Sequence, residues 1–111
     1  MMKVYLFLST AGSEREGRKI ARHLVKVGLA ACVNVIPGIT SFFPWEGKLA
    51  REKEVLILGK TDGRKLNKIL KQIKSMHSYS VPEILFLRVD GGEKGYLQWV
   101  EEMTGKENEK K

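Results

Sequence analysis

Cys32 and His77 have the strongest claim to chemistry in this 111-residue chain. A thiolate and a neutral imidazole nitrogen both suit copper, so the two form a candidate metal pair. One chain supplies too few such ligands to close a coordination sphere. Copies of the chain could supply the same residue several times, or bring Cys32 of one to His77 of the next. Each residue also has a structural reading. Free cysteine is among the most buried residue types and fits a small strand position. A histidine ending a helix is favoured by the helix dipole and can satisfy loose carbonyls. His23, on the charged side of the first helix, reads as solvated rather than as a ligand.

Patterns for catalysis are missing. The chain has no Gly-x-Ser-x-Gly, no cysteine near a histidine in sequence and no paired acids in a pocket loop, so no enzymatic activity and no organic cofactor are expected. Thr10-Ala11-Gly12-Ser13 precedes a helix whose N-terminus could seat a phosphate. Without a P-loop lysine pattern it reads as a helix cap.

The elements that must position these residues follow from periodicity and punctuation. Lys3 to Ser9 is β-branched and aromatic-rich, a strand. Ser13 with Glu16 three residues later offers a capping box. Ile20, Leu24 and Val27 then recur at helical spacing until Gly28 supplies a left-handed stop. Ala30 to Phe43 is a long apolar segment interrupted at Pro37-Gly38, which suits an edge strand with a bulge. Trp45-Glu46-Gly47-Lys48 is the turn into a strand over Glu54 to Thr61. Thr61 or Asp62 caps a second helix with the stripe Leu66, Ile69, Leu70, Ile73 and Met76. Val81-Pro82 separates it from a strand over Ile84 to Val89. Tyr96, Trp99, Val100 and Met103 mark a short third helix, with Lys106 to Lys111 as a frayed tail. The order β-α-β-β-α-β plus a terminal helix predicts an α+β, ferredoxin-like fold, with residues 1–111 as a single domain.

Charged residues form 30% of the chain and apolar ones 42%, a globular profile with an ion-rich exterior that suits a heat-tolerant protein. The net charge of +7 raises the question of nucleic acid. Lysines and arginines are spread over both helices and the tail, which favours a solvated outer face, and no nucleic-acid partner is expected. RNA-recognition domains share this element order but display aromatics on the third strand, and Glu54 to Lys60 has none. One cysteine leaves no intrachain disulfide and fits a reducing compartment. The apolar run Val4 to Leu8 is too short for a signal core or a membrane span, so cytoplasmic residence without membrane association is expected.

The strands do not alternate. Val4, Leu6 and Leu8 oppose Tyr5 and Phe7; Val55 and Ile57 oppose Leu56 and Leu58; Ile84 and Phe86 oppose Leu85 and Leu87. Helices can cover one face of such a sheet, and the other calls for further copies of the chain. The terminal helix, folding over that face, is the alternative and could cover only part of it.

Ala31-Cys32-Val33-Asn34, Trp45-Glu46-Gly47-Lys48 and the run from His77 through Ile84, together with Lys60-Thr61 and Tyr96-Leu97-Gln98-Trp99, resemble the CutA family of divalent-cation-tolerance proteins over about residues 3–104. The resemblance implies a homotrimer of ferredoxin-like subunits, similar in architecture to PII signalling proteins, and a role in tolerance to divalent metals, copper above all. It also implies a candidate cleft between subunits formed by Trp45, Lys48, Lys60, Tyr79 and Glu83, whose charges could hold a small ligand or simply pair across the interface. A PII-like regulator or scaffold, binding a small ligand or protein partner there, is the alternative function. Ser78 stands where the family usually has proline, and Ser9 where some members carry a second cysteine, which weakens a thiolate-rich site.

Overall fold

The computed structural model describes residues 3–106. Strand β1 (Val4–Ala11) leads to helix α1 (Glu14–Lys26), then β2 (Cys32–Trp45), β3 (Lys48–Asp62), a 3-10 turn (Gly63–Lys65), α2 (Leu66–Met76), β4 (Ile84–Arg88) and α3 (Lys94–Met103). The strands form one antiparallel sheet in the order β2-β3-β1-β4. This is the expected β-α-β-β-α-β fold with an added C-terminal helix. Only Lys106 of the expected frayed tail lies within the described residues.

Local chemistry sets the element ends. Ser13 Oγ accepts from the Glu16 N–H at 3.1 Å and starts α1. Gly28, at φ +78°, closes it in the left-handed region, and a Cβ there would stand 2.7 Å from the Lys106 carbonyl oxygen. The Gly28 carbonyl in turn accepts from the Gly105 N–H at 2.7 Å, tying the end of α1 to the segment after α3. Asp62 caps the 3-10 turn by accepting from the Arg64 N–H at 2.9 Å. Glu46 and Gly47 both have positive φ, 51° and 78°, which is the backbone of a tight hairpin turn matched to strand twist.

The boundaries that differ most from the sequence reading lie in the hairpin. β3 begins at Lys48, not Glu54, because the tight turn propagates pairing through the polar run Lys48 to Lys53 without any apolar alternation. β2 runs on to Trp45 for the same reason, with the register shift between Ile36 and Ile39 at the expected Pro37-Gly38 bulge.

Helices α1 and α2 cover one face. Phe7, Ala11, Val55 and Ile57 from the sheet meet Ile20, Leu24, Ile69 and Ile73 from the helices. Phe7 is paired with Gly59 across β1 and β3, and a Cβ at Gly59 would fall 1.9 Å from the ring. Glycine there is a steric requirement of the core. On the opposite face α3 packs against β1 and β3 and buries Val100, while Leu85 and Leu87 remain 52% and 45% exposed. The terminal helix therefore covers that face in part.

Candidate functional site

His77 ends α2, its N–H donating to the Ile73 carbonyl at 2.9 Å. Its side chain is fully buried, and both ring nitrogens are engaged. Nε2–H donates to the Thr10 carbonyl at 2.6 Å, which leaves Nδ1 to accept from the Tyr79 N–H at 3.0 Å. The ring thus joins the end of α2 to β1 and sets the loop that follows. The ring satisfies a carbonyl of β1 and not, as a cap would, a loose carbonyl of its own helix.

Around this ring lies a polar cluster. Glu16 Oε2 is 3.6 Å from Nδ1 and accepts from the Ser78 N–H at 2.7 Å, while Oε1 accepts from the Ser78 hydroxyl at 3.1 Å. Glu16 is therefore turned across to the α2–β4 loop, not back to Ser13 as a reciprocal capping box requires. The Ser78 N–H that makes this bond is one proline would lack. Burial raises the Glu16 pKa, but the Ser78 bonds, the His77 ring and the Gly12 N–H outweigh it and hold the carboxyl below its ordinary value. Tyr79 donates its hydroxyl to Glu54 Oε2 at 2.7 Å, and burial together with Glu54 pushes its pKa up to about 12.

Cys32 occupies a second cluster. It lies opposite Lys60 in the β2–β3 register, half-buried, with Lys60 Nζ 4.0 Å from Sγ and also donating to Asn34 Oδ1. Tyr96 of α3 lies beside Cys32; burial first, then the nearby Cys32, raise the Tyr96 pKa. Its ring stacks on Trp99 with centroids 5.7 Å apart.

Within one chain the two clusters stay apart. His77 bonds Thr10, which pairs with Leu56, four positions along β3 from Lys60 and so roughly 13 Å away at the rise of a strand. No group of three or more His, Cys, Asp or Glu side chains able to hold a metal exists among the described residues. The described donors of a single chain therefore do not come together around a metal ion.

The five cleft residues are likewise scattered. Trp45 and Lys48 face each other across the hairpin tip, Trp45 63% exposed, while Lys60 lies twelve residues back along β3, roughly 40 Å away. Tyr79 and Glu83 sit in the α2–β4 loop, Glu83 exposed. Sequence reasoning named Glu16, Glu54 and Tyr96 for other reasons and missed their pairing with His77, Tyr79 and Cys32. Glu16 had been given to the cap, and Glu54 and Tyr96 carry no local signal because register and helix docking bring them in. His23 also differs from expectation: it is half-buried, and its Nε2 bonds Gln72 Oε1 at 2.5 Å, joining α1 to α2.

The sequence profile of the family described as CutA1 divalent ion tolerance protein matches residues 5–103. The divalent-cation tolerance protein CutA of Thermus thermophilus is 43% identical over 98 residues, 88% of this chain and 95% of its own length. Protein CutA of Homo sapiens is 41% identical over 95 residues, 86% of this chain but 53% of its own length. The chain thus spans about half of the human relative and nearly all of the bacterial one. Among solved structures, the Thermus thermophilus protein superposes with a TM-score of 0.89 at 41% identity, covering 92% of this chain and 99% of that one. CutA1 of Oryza sativa does so with 0.90 at 34% identity, covering 93% and 94%. The description of the family names divalent-ion tolerance. With its fold and nearly all of its length matched in this way, the chain belongs to the CutA divalent-cation tolerance family.

Proposed function

We propose that this protein serves divalent-cation tolerance as a cytoplasmic homotrimer that binds metal ions, copper first, where its copies meet. One observation carries this reading. The sheet face away from α1 and α2 leaves Leu85, Leu87 and Ile36 exposed, and the hairpin arm bares Phe42, Trp45 and Leu49 at 63%, 63% and 78%. So many large apolar side chains left to water call for a cover, and further copies of the chain are the natural one.

Self-association would also complete what one chain lacks. Cys32, His77 and the exposed Glu83 supply sulfur, nitrogen and oxygen donors of the kinds copper accepts, but in separate places. His77 can ligate only by giving up the Tyr79 N–H or the Thr10 carbonyl, so Cys32 and Glu83 are the more accessible donors. The arm carries Trp45 and Lys48 far enough from their own Lys60 and Tyr79 to reach those of a neighbour. The presence of one cysteine, a free thiol, supports a reducing cytoplasm.

Native mass spectrometry with added copper tests both halves at once. Three chains carrying bound copper, with uptake reduced in Cys32→Ala, His77→Ala or Glu83→Gln, supports the proposal. Equal uptake by all variants would instead favour the PII-like reading, in which these clefts hold a small ligand or a protein partner.

A further inference from the structure

Ten of the chain's 20 lysines and arginines, but only two of its 13 acids, lie on α1, α2 and the 3-10 turn before α2. That excess of eight exceeds the +7 of the whole chain, so the remainder of the molecule is close to neutral. The charge is dispersed along the sequence but not in space. α1 and α2 lie side by side on the sheet, joined by the His23–Gln72 bond.

The cations flank the seam between the two helices and spread over their outward side. Lys19 and Lys26 stand one turn before and after His23, and Lys68 one turn before Gln72. Arg22 and Lys71 adjoin the two bridging residues, and Lys74 extends the row. All six are exposed, and none forms an ion pair among the described residues. The two acids of the layer are occupied elsewhere, Glu14 by Arg18 and Glu16 by Ser78 and His77. Like charges so close repel one another in the free protein, and an apposed polyanion reverses that repulsion.

We propose that the α1–α2 face binds the phosphate backbone of double-stranded nucleic acid without regard to sequence. Lysine-rich surfaces engage phosphates as flexible point charges, with released counterions supplying the affinity. The 13-residue α1 is about 20 Å long. It exceeds the roughly 12 Å width of a major groove, so the face reaches both flanking phosphate rows. Neither helix carries Phe, Tyr or Trp, so nothing there stacks on the bases of a single strand. Leu70 is the one exposed large apolar residue of these two helices, too little to insert into a bilayer.

Fluorescence anisotropy of the full-length protein with a short mixed-sequence DNA duplex, titrated over a salt series, tests this. The logarithm of the binding constant should fall linearly with the logarithm of salt. The triple variant K68E/K71E/K74E should bind more than about tenfold more weakly at low salt and reduce the slope by roughly 3. The variant R51E/K53E/K94E makes the same change in net charge away from the face and should keep the slope. Circular dichroism checks that each is folded; if charge reversal unfolds the chain, K68Q/K71Q/K74Q reads the same slope. Absence of duplex binding at low salt, an equal loss in both triple variants, or binding to phosphatidylserine vesicles but not to duplex would each overturn the proposal.

Discussion

The helix-covered side of the sheet and the hairpin arm are built from the same kinds of residue but end in opposite states. Phe7, Ile57, Ile69 and Ile73 have no exposed surface, whereas Phe42, Trp45 and Leu49 stand mostly bare. The first region is closed by its own chain, since α1 and α2 return across β1 and β3. The second extends beyond any helix, as β2 and β3 pair with each other alone past the Pro37-Gly38 bulge. Apolar residues thus close a core in one place and stand open to solvent in the other, and only topology separates the two.

Substitutions should separate them as well. Gly59→Ala drives a methyl into the Phe7 ring and should destabilise by about 3 kcal/mol or more, read as a large fall in the denaturant midpoint. His77→Ala leaves the Thr10 carbonyl and the Tyr79 N–H without their partner, a loss of about 2 to 3 kcal/mol in the same assay. Leu85→Lys with Leu87→Lys should leave circular dichroism nearly unchanged but weaken self-association, because these side chains pack outside the chain's own core. Intact assembly in that double variant would remove the distinction between the two regions.

Titration provides a smaller effect at the boundary between them. Glu16 and Asp62 are both held below their ordinary values of 4.5 and 3.8. For Asp62, burial opposes the shift, and the Arg64 hydrogen bonds and charge outweigh it. Their contribution is complete above those values and lost as pH falls through the lower folded ones, so acid should unfold the protein through this window. Tyr79 runs the other way. Its contribution is complete below its ordinary 10 and lost as pH rises toward about 12. Tyr79→Phe should flatten that alkaline limb and cost about 1 kcal/mol at neutral pH.

Where interactions were local, the sequence was readable. Ser13 as a cap, Gly28 as a stop, the apolar stripe of α2 and the Trp45 to Lys48 turn all depend on residues a few positions apart, and each appears where expected. The long arm was shortened because Lys48 to Lys53 lack alternation, and pairing there is imposed by the turn. The surroundings of the candidate ligands were not readable. Cys32 meets Lys60 through strand register and Tyr96 through the docking of α3, while His77 meets Thr10 across 67 residues of chain. The crowding of cations was hidden for a similar reason, since the lateral packing of α1 on α2 has no signature in either helix alone.

Sedimentation equilibrium on dilute protein probes the open face most directly. A particle of three chain masses, dissociating in the Leu85→Lys, Leu87→Lys variant, is the predicted result. A stably folded single chain at the same dilution would contradict it, because the bare arm and sheet face would then need no neighbour.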